Sequence, residues 1–184
     1  ISGAPIVHSN GDVIKEDAST LSNSVYHLSK FYQEKLLEII NFDFYYNLRI
    51  SSPISPNIQK KTIFKVLMDN AILNKDITIK GLGSRLQNYI DVRDVSKTIE
   101  DLIKSDNFLS GTYNICSNKS ISNLNLAKLI TEVIPTKSKI NHIGEDTNDD
   151  IHWVYDISKA KKELGFKIKY PLKMTILDYF NSQK

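Results

Sequence analysis

The chain has 184 residues, 41% hydrophobic and 24% charged, which suits a soluble globular protein with one core, or one domain and a fraction. Its net charge is +3 and its pI about 8.8, with lysines scattered among acids and not interleaved with aromatics in a stripe, which argues against a nucleic-acid partner. The single Cys116 cannot form an internal disulfide and no apolar run approaches bilayer length, so the expectation is a reducing, cytoplasmic setting away from the membrane.

Ile1-Ser2-Gly3-Ala4 reads as the end of a buried strand with no charged leader before it, so the chain is expected to begin mid-domain, as part of a longer protein. From Ser19 to about Asn41, Val25, Leu28, Tyr32, Leu36, Ile39 and Ile40 recur at three- and four-residue steps, which predicts a helix. Phe44 to Ile50 reads as a strand closed by Ser51-Ser52-Pro53. Strand, helix, strand implies a parallel sheet. A helix follows over about Lys61 to Leu73, then strands at Ile77 to Lys80 and Asn88 to Val92 separated by the turn Gly81-Leu82-Gly83-Ser84, and Asp94 is expected to cap a helix to about Lys104. Thr112 to Cys116 reads as a strand, Ser122 opens a helix that stops at Pro135, and the polar, acidic stretch Asn141 to Asp150 reads as a loop. Ser158 to Leu164 is a short helix ended by Gly165, and Pro171 begins the last helix, to about Tyr179.

Tyr26 and Lys30 stand four apart on the first predicted helix, so their side chains share a face one turn apart. A free phenol ionises near about pH 10, so a tyrosinate base needs a nearby cation, and an ammonium one turn on suits that need. The bland alternative is chance: among nine tyrosines, Tyr155 with Lys159 repeats the spacing.

The stretch Ser24-Val25-Tyr26-His27-Leu28-Ser29-Lys30 with Glu34 resembles the tyrosine-to-lysine signature of the extended short-chain dehydrogenase/reductases, the NAD-dependent epimerase/dehydratase family, where a serine commonly precedes the lysine. Further likenesses follow in order: Ser2-Gly3-Ala4, Leu48-Arg49-Ile50-Ser51-Ser52-Pro53, Gly81-Leu82-Gly83-Ser84-Arg85 through Tyr89-Ile90-Asp91-Val92-Arg93-Asp94-Val95, Gly111-Thr112-Tyr113-Asn114-Ile115, and Asp156-Ile157-Ser158-Lys159-Ala160 with Glu163-Leu164-Gly165-Phe166. The resemblance implies an α/β fold: the tail of a Rossmann-type doubly wound parallel sheet over residues 1–51, carrying the catalytic residues, then a smaller mixed α/β substrate domain over 52–184, partly interleaved with the first. It implies Tyr26 as the base that takes a sugar hydroxyl proton while bound NAD accepts hydride. Lys30 would lower the phenol's pKa and hold the nicotinamide ribose, Ser2 would hydrogen-bond the sugar oxygen, and Pro53 would line the cofactor. A nucleotide-diphosphate sugar is the implied substrate, contacted by Ser52, Arg85 and Gln87, with no metal, and a homodimer is the implied assembly.

The departures carry information too. Family dehydratases place an Asp-Glu pair after the catalytic threonine; Gly3-Ala4 stands here, which argues against a 4,6-dehydratase and for an epimerase or a reductase. Ser52 stands where many epimerases carry asparagine, and Gln87 where many carry a diphosphate-binding arginine that Arg85, two residues away, is placed to replace. Asp146 occupies the region of a second such arginine, leaving Lys80 or Lys137 as other cations, and His8 reads as a solvated loop histidine. Gly81 and Gly83 make a turn, not a dinucleotide fingerprint; that fingerprint is absent from these residues, so NAD binding by this chain alone is doubtful. The leading reading is an NAD-dependent nucleotide-sugar epimerase. Its alternatives are a keto-sugar-nucleotide reductase using NADPH, and a non-catalytic fragment that binds no cofactor.

Overall fold

A computed structural model describes residues 2–3, 13–18, 24–40, 42–148 and 152–183. The α/β class expected from the alternating pattern is what forms. Strand β1 (Ser2–Gly3), helix α1 (Val25–Ile39) and strand β2 (Tyr46–Ile50) come first, and β2 is the centre of a parallel sheet ordered β1-β2-β7, where β7 is Gly111–Ile115.

Successive side chains of a strand alternate between faces, so register settles what each face carries. Leu48 and Ile50 stand beside Tyr113 and Ile115 on one face; Asn47 and Arg49 stand beside Thr112 and Asn114 on the other. The apolar face closes a core in which Leu48, Tyr113, Ile115 and Cys116 meet Val95 of α3 (Val92–Ile103), Ala160 of α5 (Ser158–Leu164), Ile157 and Phe166. The other face looks to α1, of which Glu34 is the one buried described side chain. His27, Lys30, Phe31 and Leu37 flank it, half-buried, while Val25, Leu28, Tyr32, Leu36 and Ile39 are exposed. The periodicity therefore marks the helix, but its apolar stripe is the outer face.

A second core gathers Phe64, Leu67 and Met68 of α2 (Ile63–Ile72), Leu126 and Ile130 of α4 (Asn123–Val133), and Ile176 and Tyr179 of α6 (Leu172–Ser182). Helices α2 and α4 pack on β4 (Ile77–Lys80), which pairs in parallel with β9 (Ile140–Ile143), and α6 packs on both helices. Two short pairings join the cores: β3 (Ser52–Ile54) with β6 (Tyr89–Asp91), parallel, and β5 (Leu86–Gln87) with β8 (Ile121–Ser122), antiparallel.

Local signals explain most boundaries. Thr62 and Ser122 cap α2 and α4 by accepting from the amides of Lys65 and Asn125. Gly165 ends α5 at φ 65°, and Gly83 turns at φ 66° where a Cβ would stand 2.5 Å from Ile79 Cγ2. Three expectations are corrected. The stretch expected to be a loop from Asn141 contains β9, a mostly exposed strand whose polar side chains face solvent while its backbone pairs with β4. The strand expected at Asn88 to Val92 forms as β6 but ends at Asp91, because Val92 already opens α3, and the unexpected short strand β5 precedes it with a different partner. The cap of α3 is Asp91; Asp94 is buried instead and accepts the amides of Lys169 and Tyr170 at 2.9 and 3.2 Å. His8 and residues 19–23 lie outside the described residues. Among those described, no helix is long and apolar enough to cross a membrane, and no cluster of His, Cys, Asp or Glu is placed to hold a metal ion.

Asp91 staples β6 to α6. Its carboxylate, 2% exposed, accepts from Arg93 Nε and Nη2 at 2.9 and 2.7 Å and from Thr175 Oγ1 of α6 at 2.7 Å, while Arg93 reaches Asp178 at 2.7 Å. Burial pushes the Asp91 acid upward, but these donors outweigh it and hold the group below its usual value. A depressed folded-state pKa contributes stability above the unfolded value of about 3.9, lost as pH falls through the folded value. We expect Asp91→Asn to cost about 2 kcal/mol in urea unfolding near neutral pH, and its stability to fall less than the wild type's on acidification below about pH 4; equal acid dependence would show that Asp91 is not the titrating group.

Candidate active site

The carboxyl ends of β1, β2 and β7 lie in register at Gly3, Ile50 and Ile115, which is the edge where open parallel sheets bind ligands. Beyond that edge the chain runs from Ser51 into β3, and β3 pairs with β6, so Ser52 meets the residues that follow the glycine turn. The Ser52 amide donates to the carbonyl of Asn88 at 3.0 Å. Asn88, 2% exposed, donates through Nδ2 to the Ser117 carbonyl at 2.9 Å and to Ser120 Oγ at 3.1 Å, and its Oδ1 accepts the Ser117 amide at 2.9 Å. One asparagine thus ties the exits of β2 and β7 to β6.

A cavity of about 240 Å³ opens at this junction, lined by His27, Ser52, Arg85, Gln87, Asn88, Trp153 and Tyr155. Ser52, Arg85 and Gln87, the three residues expected to touch substrate, are brought together in it. Arg85 is its one formally charged lining residue and the others are neutral polar or aromatic; no carboxylate lines it. The surface suits an anionic or hydroxyl-rich ligand. Trp153 is held there by its amide, which donates to the Leu86 carbonyl at 3.1 Å, and by its carbonyl, which accepts from Ser120 Oγ.

Tyr26 stands at the start of α1, 57% exposed, next to the cavity-lining His27, with the two rings edge to face at 5.6 Å between centroids. Lys30 Nζ lies 5.8 Å from the Tyr26 ring centroid and donates to Gln33 Oε1 at 3.1 Å. Ser29 Oγ donates back to the Tyr26 carbonyl at 2.7 Å. Ser2 lies in β1 opposite Arg49, on the strand beside β2. Pro53 does not line this cavity; it is exposed and lines a neighbouring one of about 100 Å³ that shares Ser52 and Gln87. Lys80, Lys137 and Asp146 line neither: the Lys137 amide donates to Asn74 Oδ1, and Asp146 accepts the Asn148 amide.

Four lining residues escaped sequence reasoning. His27 was overshadowed by its neighbour, and Asn88 and Trp153 carry no motif of their own. Tyr155 was visible only as half of the repeated Tyr-Lys spacing. The structure separates that pair: Lys159 Nζ donates to the Thr112 carbonyl at 3.0 Å and sits over the Tyr113 ring, while Tyr155 is buried beside Cys116. Burial, then the Cys116 thiolate form, pushes the Tyr155 phenol far above its ordinary value, and burial raises the Cys116 thiol to about 12. Neither is suited to act as a base near neutral pH.

The model of the NAD dependent epimerase/dehydratase family matches residues 4–116, more than half of the chain. Solved structures resemble it closely in fold. The UDP-glucose 4-epimerase of Thermotoga maritima, solved with UDP-glucose, superposes with a TM-score of 0.83 at 19% identity, over 99% of this chain and 62% of that one. A UDP-N-acetylglucosamine 4-epimerase of Methanobrevibacter ruminantium, solved with UDP-N-acetylmuramic acid, gives 0.80 at 24% identity over 100% and 62%. A UDP-glucose-4-epimerase of Stenotrophomonas maltophila, with NAD and a formylated UDP-arabinopyranose, gives 0.86 at 20% over 99% and 61%. The chain therefore spans about three fifths of these proteins' length, and the likeness establishes a Rossmann-type fold. A search of curated proteins by sequence finds no match.

Trp153 is the single tryptophan, so its emission reports on the cavity alone. Titration with an anionic, hydroxyl-rich ligand such as a sugar phosphate is expected to change it saturably, and Arg85→Ala to raise the apparent Kd about tenfold or more, as loss of a charge-assisted contact does. Unchanged emission, or an Arg85→Ala curve that overlays the wild type, would remove the cavity as the binding site.

Proposed function

The chain belongs to the NAD dependent epimerase/dehydratase family, and from that premise we propose that the protein is an NAD-dependent nucleotide-sugar epimerase acting on a uridine-diphosphate sugar. The observation that carries the reading is the cavity of Ser52, Arg85 and Gln87 opening beside the helix start that bears Tyr26, at the carboxyl ends of a parallel sheet. Tyr26 takes the proton of the sugar hydroxyl at the carbon to be inverted and later returns it. Ser2 donates a hydrogen bond to the same oxygen, most useful if it tightens as charge develops there. Arg85 holds the diphosphate; Ser52 and Gln87 bond the sugar and its linkage.

The residues present fit one end of the cofactor. Tyr26 and Lys30 are both reachable from outside the protein on one helix face, with Lys30 suited to the nicotinamide ribose hydroxyls and Pro53 to the ring beside it. When bound, NAD supplies a hydride acceptor at the carbinol carbon that can return the hydride to either face of the ketone. No glycine-rich turn for the pyrophosphate occurs among the seven glycines of these residues. By themselves they are expected to hold NAD weakly or not at all, and that observation favours a second reading, a non-catalytic fragment whose chemistry belongs to a longer protein. A reductase reading differs in consuming NADPH in proportion to product.

The division into a nucleotide-side part over 1–51 and a substrate-side part over 52–184 is proposed with interleaving, since β7, α3 and α5 contribute to the first core. A homodimer is proposed through the outer stripe of α1, where Val25, Leu28, Tyr32, Leu36 and Ile39 offer a self-complementary apolar seam. A cytoplasmic setting matches the one buried thiol.

In the whole protein, Tyr26→Phe is expected to reduce turnover of a UDP-sugar by about 10³-fold while leaving its affinity for that sugar unchanged, with NAD neither consumed nor produced in the wild type. Retained turnover in Tyr26→Phe would refute the assignment, and stoichiometric NADPH oxidation would convert it to a reductase. Leu36→Glu is expected to shift the solution mass to that of a monomer in light scattering; an unchanged mass would show that α1 is not the seam.

A further inference from the structure

We propose that Arg49 and Glu34 are positioning residues: their buried ion pair sets where the helix bearing Tyr26 and Lys30 stands relative to the strand bearing Ser2. The proposal rests on the reading of those three residues given above, because it concerns how two separate elements are held in the geometry that reading needs.

Tyr26 and Lys30 belong to α1 and Ser2 to β1, so the distance between the proposed base and its hydrogen-bonding serine is a distance between elements. α1 has no apolar residue fully buried against the sheet. Its one buried described side chain is Glu34, which follows Lys30 by four residues and Tyr26 by eight, about two turns along the helix. Arg49 Nε lies 3.1 and 3.2 Å from the two Glu34 carboxylate oxygens and Nη2 lies 2.8 Å from one of them. The side chains are 6% and 3% exposed. The fork fixes angle as well as distance, which a single ammonium does not.

The other end of the link is the backbone of Arg49 itself. It pairs in register with Ser2 on one side and with Asn114 on the other. Its remaining nitrogen, Nη1, donates to the Glu16 carbonyl at 3.0 Å, and the Glu16 carboxylate accepts the Asn114 amide at 2.9 Å, so the guanidinium is braced from β7 and cannot swing with the helix. Asn114 in turn donates to the carbonyls of Ile14 and Asp156, both at 3.1 Å. The main chain of Arg49 carries the register of Ser2; its side chain carries α1. A reacting group displaced by about 1 Å costs about 100-fold in rate, and this residue spans the one distance within the proposed triad that helix geometry does not already set.

A pair that only stabilises the fold would lower the amount of folded protein and leave each folded molecule as active as before. The experiment uses the whole protein with a UDP-sugar and the variants Arg49→Lys and Glu34→Gln, studied at a temperature where circular dichroism shows wild-type helix content, with Glu34→Asp as the conservative variant. The expected result is a 10- to 100-fold lower kcat with KM within about twofold, faster hydrogen exchange in α1 but not in β2 or β7, and partial recovery in Glu34→Asp. In a Tyr26→Phe background Glu34→Gln is expected to have no further effect on the residual rate, as befits a residue acting through Tyr26. Wild-type kcat per folded molecule, or exchange that quickens equally across the sheet, would overturn the proposal. A wild-type protein without turnover would instead sink the epimerase reading, and exchange then decides the link alone: loss of protection confined to α1 supports it, and any other pattern overturns it.

Discussion

The structure depends on a charge pair where a hydrophobic seam would be ordinary. Helices usually cover a parallel sheet by burying an apolar stripe. Here the one fully buried side chain that α1 sets against the sheet is Glu34, against Arg49 on the central strand. Burying two ions costs several kcal/mol each in lost hydration, which their attraction offsets only with good geometry and further hydrogen bonds, so a buried pair is weak evidence of stabilisation and better evidence of a fixed arrangement. The fork onto Glu34 and the third contact to the Glu16 carbonyl meet that requirement. Removing either partner would strand the other charge, a loss of about 3–5 kcal/mol.

That choice propagates through the sheet. With Arg49 committed to the α1 side, alternation sends Leu48 and Ile50 to the opposite face, where Tyr113 and Ile115 meet them and α3 and α5 close the core. The polar side is completed by Asn47 and Asn114, both buried, the latter bonded to the segment that crosses beside Tyr155. Beyond the strand ends the two cores meet, and the meeting is polar as well: Asn88 spends both ends of its amide on Ser117 and Ser120. An apolar joint there would have filled the cavity. A joint made by one asparagine leaves a wall of donors open to a ligand.

Much of this was legible in the residues. The order of helices and strands, the start of α4 at Ser122 and the stop at Gly165 follow from local chemistry that needs no partner. So did Ser52, Arg85 and Gln87 as neighbours, since the resemblance supplied their common purpose. What was not legible is what depends on long-range pairing. Nothing local says that Arg49 finds Glu34, 15 residues back in the chain. The stripe on α1 read as a helix signature without saying which side of the helix meets the sheet. Strand β9 was hidden because a mostly exposed strand held by backbone pairing and polar side-chain bonds carries no apolar alternation. Trp153 and Tyr155 reach the cavity only because a bridge at Leu86 and His152 draws their segment across β5.

The same division accounts for how the chemistry is distributed. The described cavity contains one guanidinium, an imidazole, two carboxamides, a hydroxyl and two aromatic groups, and no acid. No carboxylate lines it to take up a proton, and on the reading proposed above that role falls to Tyr26, next in sequence to the cavity-lining His27, exposed and on the face that Lys30 shares. The two buried phenols near the site, Tyr89 and Tyr155, are both driven to higher pKa by burial and lack that access. On the reading proposed above, binding and proton transfer fall to different elements: the junction of the two cores holds the ligand, and α1 brings the base. An arrangement of that kind works only if the helix cannot drift relative to the sheet, which returns the burden to the one buried charge that α1 commits to it.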